Sequence, residues 1–243
     1  MRPRKILCST LLLLALCAGC GAQADTEVPA EPSERSFFAM NTYITMQASG
    51  THAEDALEAA EELVLDLEGL LSVTEETSEL YEINHSGGQP VAVDETTAEL
   101  LTFALEMAEE TGGALDPTIY PVLTAWGFTT ENRQVPAQEE IDRLLPLVDY
   151  TQVQITDGVV TLPEGVSLDL GAVAKGYTGD RVAQLLEERG ISSALINLGG
   201  NVQAVGGRPD GTPWRIGVCD PFSEGNLGVL EVEDCAVVTS GGY

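Results

Sequence analysis

Lys175 is the residue whose type and position point most directly to chemistry. The sequence holds two lysines, and the other lies in a predicted N-terminal signal, so Lys175 is the one lysine of the remaining chain. It follows a glycine turn, in a segment predicted to be helical near Val173–Arg189. A single ammonium beside a helix N-terminus, where backbone amides are unpaired, is suited to binding an anion. A structural ion pair with Asp169 or Asp116 is the alternative interpretation.

The same predicted helix carries two further polar residues near Lys175. At 3.6 residues per turn, Thr178 falls on the face of Lys175, which is the packed side of the helix. Arg181 lies three residues beyond Thr178, on the flank of that face. The segment therefore places a hydroxyl group and a second cation near the candidate anion site.

Residues 111–128, TGGALDPTIYPVLTAWGF, are the second segment of interest. Asp116 before Pro117 is typical of a helix start, with the aspartate as cap and the proline at the first helical position. That structural interpretation accounts for the pair without any ligand. Tyr120, Trp126 and Phe128 belong either to the core or to a pocket for an aromatic ring, and taken singly they favour the core.

Two glycines follow a predicted strand at residues 197–201, NLGGN. Glycine at such a position permits either a sharp turn or a close approach of backbone to a ligand. The sequence has neither a GxGxxG fingerprint nor a GxxxxGK[ST] loop, which excludes the usual nucleotide-binding motifs. In the first predicted strand, Asn41 and Thr42 form a polar pair between apolar residues, consistent with a strand edge or bulge.

The elements that must position these residues follow an order along the chain, in which most helices come early and most strands come late. This order predicts one α+β domain over residues 37–243, with a mainly antiparallel sheet packed against helices. The predicted helices are His52–Leu71, Glu95–Glu110, a short one after Asp116-Pro117, Gln138–Leu145 and Val173–Arg189. The predicted strands are Phe37–Ala48, Gln152–Thr156, Val159–Leu162, Ala194–Asn197, Val202–Val205, Trp214–Val218, Gly228–Val232 and Ala236–Thr239.

The N-terminus is predicted to be a targeting segment rather than part of the folded domain. A basic start is followed by the apolar run Ile6–Ala18, which is too short for a stable membrane-spanning helix. Leu16–Cys20 (LCAGC) is similar to a bacterial lipobox, so we expect cleavage after residue 19 and a lipid on Cys20. An ordinary signal peptide is the alternative. Residues 20–36 are then a lipidated cysteine and a flexible tether, and the domain is held at a membrane surface outside the cytoplasm.

Composition excludes several functional classes. The 243 residues include 39 Asp+Glu against 11 Lys+Arg, a formal net charge of −28. Nucleic acids and anionic lipid surfaces need basic patches, so neither is an expected partner. No Cys/His cluster has zinc spacing. Cys219 and Cys235 either pair across neighbouring strands or are two buried free thiols.

Taken together, the motifs resemble the ApbE family of FAD:protein FMN transferases from bacterial envelopes. The resemblance covers about residues 37–243. It rests on Phe38–Thr42 (FAMNT), Gly112–Thr118 (GGALDPT), Trp126–Phe128 (WGF), Leu168–Tyr177 (LDLGAVAKGY) with Asp180, Asn197–Asn201 (NLGGN) and Thr239–Gly241 (TSG).

The resemblance implies a flavin-transfer activity. Family members bind FAD and Mg²⁺, release AMP, and leave FMN on a threonine hydroxyl of an acceptor protein, such as flavin subunits of sodium-pumping NADH:quinone reductase or of Rnf-type complexes.

The resemblance also implies which residues of this chain form the site. The residues implied to contact FAD are Met40, Ala114, Leu115, Asp116, Lys175 and Arg181. Thr178 is implied to donate an oxygen, such as its backbone carbonyl, to the metal.

The sequence departs from the family pattern at Thr74, where an aromatic residue is frequent, and at Gly242, where aspartate is frequent. The family continues beyond the position of Tyr243 with further metal ligands, so we expect this chain to be a truncated form with weak or no transferase activity. A lipoprotein that binds FAD without transfer and a Mg²⁺-dependent FAD hydrolase are the alternatives. A solute-binding lipoprotein would require alternating β and α segments, and this pattern is absent from the sequence.

Overall fold

The computed structural model describes residues 31–130 and 132–240 of the chain. The predicted signal, the lipobox and Cys20 lie outside this part. Six α-helices are present in the described ranges. They are α1 (Ala53–Leu71), α2 (Glu79–His85), α3 (Glu95–Glu110), α4 (Tyr120–Trp126), α5 (Gln138–Leu144) and α6 (Gly171–Glu188), with short 3₁₀ turns at Pro117–Ile119, Leu145–Leu147 and Tyr150–Gln152.

The strands form three antiparallel sheets. Five strands make the main sheet in the order β1-β2-β6-β7-β10, three make the sheet β3-β5-β4, and β8 pairs with β9. Their bounds are β1 (Ser33–Ala39), β2 (Thr42–Ala48), β3 (Val91–Ala92), β4 (Gln154–Thr156), β5 (Val159–Thr161), β6 (Ala194–Leu198), β7 (Asn201–Val205), β8 (Trp214–Cys219), β9 (Asn226–Val232) and β10 (Ala236–Val238).

One face of the main sheet is covered by helices. Buried residues alternate along β2 and β6, as the two-residue period of a strand requires when one face is packed. Helix α1 packs against β1 and β2, and α6 packs against β6 and β7. A second apolar cluster joins α1, α3 and the start of α6, and Met40 packs against both clusters. The predicted α+β class with a mainly antiparallel sheet is confirmed.

The first predicted strand is wrong in one respect. Residues 33–48 form a hairpin of two strands, because Met40 and Asn41 both adopt positive φ, 50° and 56°. This left-handed turn ends β1 and begins β2. The strand β1 also starts at Ser33, so the last four residues of the predicted tether, 33–36, are paired in the sheet. Helix α2, which begins at the capping residue Ser78, was not predicted.

The glycine turn after β6 packs directly on the first hairpin. Gly199 has φ of +64°, and a Cβ added there would lie 1.9 Å from Thr42 Oγ1. Only glycine fits this close approach without displacing the neighbouring strand. The NLGGN segment therefore acts as a turn that locks β6–β7 against the start of β2.

The two cysteines of the described region are free. Cys219 is exposed at the end of β8, and Cys235 is half-buried just before β10. Because Trp214 pairs with Val232, the strand β8 carries Cys219 away from the segment that holds Cys235. Of the two interpretations that the sequence left open, pairing across neighbouring strands is therefore not observed. The thiols are free, as in the other interpretation, but neither is fully buried.

Within residues 31–130 and 132–240, no helix combines the length and the apolar character needed to cross a membrane.

Candidate functional site

A cavity of about 880 Å³ opens beside the β1–β2 turn and the N-terminus of α6. This volume falls in the range of small-molecule sites. Four segments of the chain contribute to it. Its lining residues are Phe38, Met40, Asn41, Glu68, Leu71, Ser72, Val73, Thr74, Glu75, Leu123, Phe128, Thr129, Thr130, Arg133, Asp169, Leu170, Gly171, Ala174 and Lys175.

The N-terminus of α6 forms the cationic wall of this cavity. Helix α6 begins at Gly171, whose N–H donates a 2.9 Å hydrogen bond to Asp169 Oδ1. Lys175 lies one turn further and is half-buried. Its ammonium forms no ion pair with any carboxylate of the described residues, so the predicted structural pair with Asp169 or Asp116 is not observed there. A helix N-terminus with an unpaired ammonium suits an anionic ligand.

Asp169 places a carboxyl group in the same wall. Burial raises its pKa above the ordinary value, and the hydrogen bond from the Gly171 amide opposes that shift. Burial outweighs this hydrogen bond because it removes the charged form from water. The cavity thus combines a partly desolvated carboxyl group with the cationic side chain of Lys175.

Two aromatic side chains line the cavity while remaining largely exposed. Phe38 is 68% exposed and Phe128 is 56% exposed. The ring of Trp126 stacks near that of Phe128, with centroids 6.4 Å apart. Of its two interpretations, Phe128 therefore follows the pocket and not the core that was favoured, because α4 ends at Trp126 and the chain turns out toward the cavity. Exposed aromatic faces are suited to stacking on a planar ring.

Met40 and Glu68 meet at the edge of the cavity. The backbone N–H of Met40 donates a 2.7 Å hydrogen bond to Glu68 Oε1. Both residues line the cavity, as does Asn41 at the second position of the turn. Helix α1 therefore supports the hairpin turn from the side of the site.

Asp116 has a structural position. Its Oδ1 accepts hydrogen bonds from the backbone N–H of Thr118 (2.9 Å) and from the Thr118 hydroxyl (2.6 Å), and its Oδ2 accepts from the N–H of Tyr150 (3.1 Å). These bonds cap the 3₁₀ turn at Pro117–Ile119 and tie it to a neighbouring loop. Asp116, Ala114 and Leu115 do not line the cavity.

Thr178 and Arg181 also lie outside the cavity lining. Thr178 is fully buried, and its hydroxyl donates toward Met40 Sδ at 3.5 Å. Arg181 is exposed, with its guanidinium carbon 5.9 Å from the centroid of the Tyr177 ring. Of the residues implied by the family resemblance, the structure thus brings Met40 and Lys175 to the cavity. The roles of the others remain predictions.

Among the described residues, the carboxylates that line the cavity do not form a cluster that could bind a metal ion by itself. No group of three or more His, Cys, Asp or Glu side chains that could hold a metal is found in this part of the chain. Mg²⁺ is often bound by one or two carboxylates together with substrate phosphates. The Asp169 carboxyl fits the first part of such a site. The Thr178 hydroxyl faces Met40, and a metal contact through the Thr178 backbone carbonyl stays a prediction.

Asp169, Phe38, Arg133 and Glu68 are among the cavity residues that the sequence prediction of the site missed. Asp169 and Phe38 stand inside the motifs that carry the resemblance, so their motif membership was an available signal. Arg133 is one of only 11 cationic residues in the chain, which is a weaker signal. Glu68 gave none, because α1 carries many acidic residues on its exposed face.

Comparison with known proteins assigns the chain to a family. The ApbE family matches residues 40–243. The chain belongs to the ApbE family. It is 34% identical to the FAD:protein FMN transferase of Treponema pallidum, over 84% of this chain and 61% of that protein. It is 30% identical to the enzyme of the same name from Escherichia coli K12, over 84% of this chain and 62% of that protein.

Solved ApbE structures share the fold. The ApbE protein of Thermotoga maritima superposes with a TM-score of 0.82 at 34% identity, covering 87% of this chain and 71% of that one. The flavin transferase ApbE of Vibrio cholerae gives 0.80 at 27% identity, covering 88% and 72%. The chain thus spans a little over three-fifths of the two curated relatives and about seven-tenths of these solved chains.

Proposed function

We propose that this protein is an FAD:protein FMN transferase, which moves FMN from FAD to a threonine hydroxyl of an acceptor protein and releases AMP. The observation that carries the proposal is the cavity itself. It joins exposed aromatic side chains to a helix N-terminus with an unpaired lysine, as a dinucleotide with two ring systems and a pyrophosphate requires. Membership of the ApbE family and the names of the relatives support the same activity.

The proposed reaction is a displacement at phosphorus. The acceptor oxygen forms a bond to the phosphorus on the FMN side of the pyrophosphate. The bond from that phosphorus to the bridging oxygen breaks, and AMP leaves with the electron pair. The hydroxyl proton passes to a base or to solvent. The protein has to position both partners and stabilise the charge on the phosphates.

Local cations have to hold the pyrophosphate, since the bulk field of the protein repels it. The net charge is −28, while FAD carries about two negative charges. Lys175 and Arg133 are the cationic side chains that line the cavity, and Lys175 lies in the first turns of α6. In this proposal they bind the phosphates, and the exposed rings of Phe38 and Phe128 stack on the ligand.

We also propose a requirement for Mg²⁺. The ion would neutralise the pyrophosphate and the departing AMP when bound. In this proposal the Asp169 carboxyl, one of the carboxylates that line the cavity, would hold it together with phosphate oxygens of the ligand. The support for this proposal is the chemistry of the ligand and the presence of that carboxyl in the cavity wall.

The proposed setting is the outer face of a bacterial cytoplasmic membrane or the periplasm, with a lipid anchor on Cys20. The support is the basic start, the apolar run and the LCAGC segment of the sequence. Flavin subunits of sodium-pumping NADH:quinone reductase or of Rnf-type complexes are the proposed acceptors, by analogy with the family.

A single reaction mixture tests the function. The full chain is incubated with FAD, Mg²⁺ and an acceptor subunit that carries the target threonine, with a threonine-to-alanine acceptor as the control. A flavin transferase gives AMP in solution and a fluorescent flavin band on the first acceptor after denaturing electrophoresis. AMP together with free FMN would instead identify an FAD hydrolase. FAD binding without AMP would identify a flavin-binding lipoprotein, and AMP release that persists in EDTA would overturn the metal requirement.

A further inference from the structure

The turn between β1 and β2 holds two consecutive non-glycine residues in the left-handed region. Met40 has φ of 50° and Asn41 has φ of 56°. This conformation is unfavourable for residues with a Cβ, so surrounding contacts have to hold it. The turn lines the cavity on the side of Phe38.

Two side chains hold Met40 from opposite ends of the residue. Glu68, on α1, accepts the Met40 backbone N–H at 2.7 Å. Thr178, on α6, donates its hydroxyl toward Met40 Sδ at 3.5 Å. The two helices that cover the main sheet thus both reach the same turn residue.

Packing of the helices alone does not explain either of these two contacts with Met40. A thioether sulfur is a weak acceptor, and Thr178 is fully buried, so a valine would fill the same volume without leaving a poorly paired hydroxyl. Glu68 is half-buried and directs its carboxylate to a backbone amide, whereas other acidic residues of α1, such as Glu62, are exposed. Both side chains are therefore better explained by the position of Met40 than by the stability of the helices that carry them.

We propose that Glu68 and Thr178 are positioning residues that fix the Met40–Asn41 turn and thereby set the affinity of the cavity for a planar aromatic ring of its ligand. The inference rests on the proposed function in one respect, which is that FAD supplies that ring. The Met40 N–H donates its hydrogen bond to Glu68. The groups of the turn that remain for contact with a ligand are therefore its other backbone atoms and the aliphatic part of the Met40 side chain. A displaced turn would open the gap between Phe38 and the ring and reduce their contact.

The test combines ligand binding with a probe of Met40 in the free protein. FAD, FMN and AMP are titrated separately into the full chain and its variants, and the Met40 methyl group is followed by NMR after ¹³C-methyl labelling. We expect Glu68→Ala to weaken FAD binding about tenfold and to shift or broaden the Met40 methyl signal. Glu68→Gln keeps an acceptor oxygen, so it should restore both readouts. Glu62→Ala is the matched control on the same helix.

Thr178→Val separates positioning from stability. We expect its Tm to be unchanged or raised, because a methyl group replaces a buried hydroxyl, while FAD binding weakens about threefold and the Met40 signal moves. Thr178→Ser should restore the wild-type signal. Losses in FMN but not in AMP binding place the flavin ring at the turn, and the reverse places the adenine there.

Specific results would overturn the inference. Met40 signals and FAD affinities that match wild type in both Glu68→Ala and Thr178→Val would show that the turn holds itself. Equal losses for Glu62→Ala and Glu68→Ala would show that the effect is not specific to the Met40 contact, because a pure net-charge effect would strengthen the binding of anionic FAD in both variants. Failure of the proposed function has a different signature in the wild-type protein, which would then bind no FAD, bind it without AMP release, or release AMP with free FMN. In each case the Met40 signals still report whether Glu68 and Thr178 hold the turn.

Discussion

The backbone N–H of Asp169 donates a 2.8 Å hydrogen bond to the carbonyl oxygen of Pro117. Pro117 belongs to the 3₁₀ turn that Asp116 caps, and Asp169 belongs to the cavity wall. The two most distinctive motifs of the sequence are therefore joined through the backbone. Asp116 influences the site through this connection, without lining it.

Asp116→Ala is expected to destabilise the fold. The variant loses the acceptor for two backbone N–H groups and the Thr118 hydroxyl, so the free energy of unfolding should fall by about 2 kcal/mol. Urea denaturation followed by circular dichroism measures it. Asp66→Ala, at an exposed position inside α1, is the control and should change stability little. Unchanged stability with FAD affinity lowered tenfold would instead make Asp116 a ligand contact.

Periodicity predicted the helices well because their buried stripes recur every three to four residues. The range of α3, Glu95–Glu110, agrees with its prediction at both ends, since Asp94 caps one end and glycines follow the other. The hairpin at Met40 could not be predicted in this way. Its two central residues are Met and Asn rather than the Asn-Gly or Gly-Gly pairs that mark such turns, and tertiary contacts hold it.

The candidate site was predicted in part, because motif membership does not specify which side of a helix faces a ligand. Lys175 and Arg181 are six residues apart on α6, which separates their side chains by about 120° around the helix axis. Lys175 consequently lines the cavity, while Arg181 lies over the ring of Tyr177. Arg133 and Phe128 come from a loop whose path no local pattern specifies.

Lys175→Gln tests the anion site. The ammonium has no ion-pair partner among the described residues, so its loss should leave Tm within about a degree while weakening FAD binding about 10- to 100-fold. Isothermal titration gives the affinity. Arg189→Gln, which removes a cation just beyond the other end of α6, controls for net charge and should bind normally. A large loss of Tm in Lys175→Gln would favour a structural role.

Phe38→Ala and Phe128→Ala test the aromatic walls. Each should weaken FAD binding by about 1 kcal/mol, or roughly fivefold, through lost stacking. Stability should change little, because both side chains are more than half exposed. Phe222→Ala is the control, since Phe222 is 95% exposed and does not line the cavity. If Phe222→Ala lowered the affinity as much as the others, the effect would not come from the cavity.

Gly199→Ala should cost more stability than Gly190→Ala. Both glycines have positive φ, +64° and +80°, but a Cβ at Gly190 meets open space while one at Gly199 meets Thr42. The backbone term alone is about 1–2 kcal/mol, so Gly190→Ala isolates it and Gly199→Ala adds the steric conflict. Denaturation midpoints compare the two. Equal losses would show that the β1–β2 hairpin yields freely to the new methyl group.

Asp169→Asn should stabilise the protein at neutral pH while weakening its proposed function. Burial raises the folded-state pKa above the unfolded value of about 3.9, so the folded state favours the protonated carboxyl. The stability that this group contributes is present below the unfolded pKa and is lost as pH rises through the folded pKa. The asparagine does not titrate, and its oxygen can still accept the Gly171 N–H. Its stability advantage should therefore be small near pH 4 and largest at pH 7.

Asp149→Asn provides the opposite sign for comparison. The hydroxyl of Thr151 lowers the pKa of Asp149, so that aspartate contributes stability above its unfolded pKa, which is lost as pH falls through the folded pKa. Asp149→Asn should be less stable than wild type at pH 7, and the deficit should shrink in acid. Denaturation series at pH 4 and pH 7 measure Asp169→Asn, and the series for Asp149→Asn continues below the unfolded pKa of about 3.9, where its deficit shrinks. A pH-independent difference for Asp169→Asn would mean that its carboxyl is solvated and would contradict the raised pKa of that group.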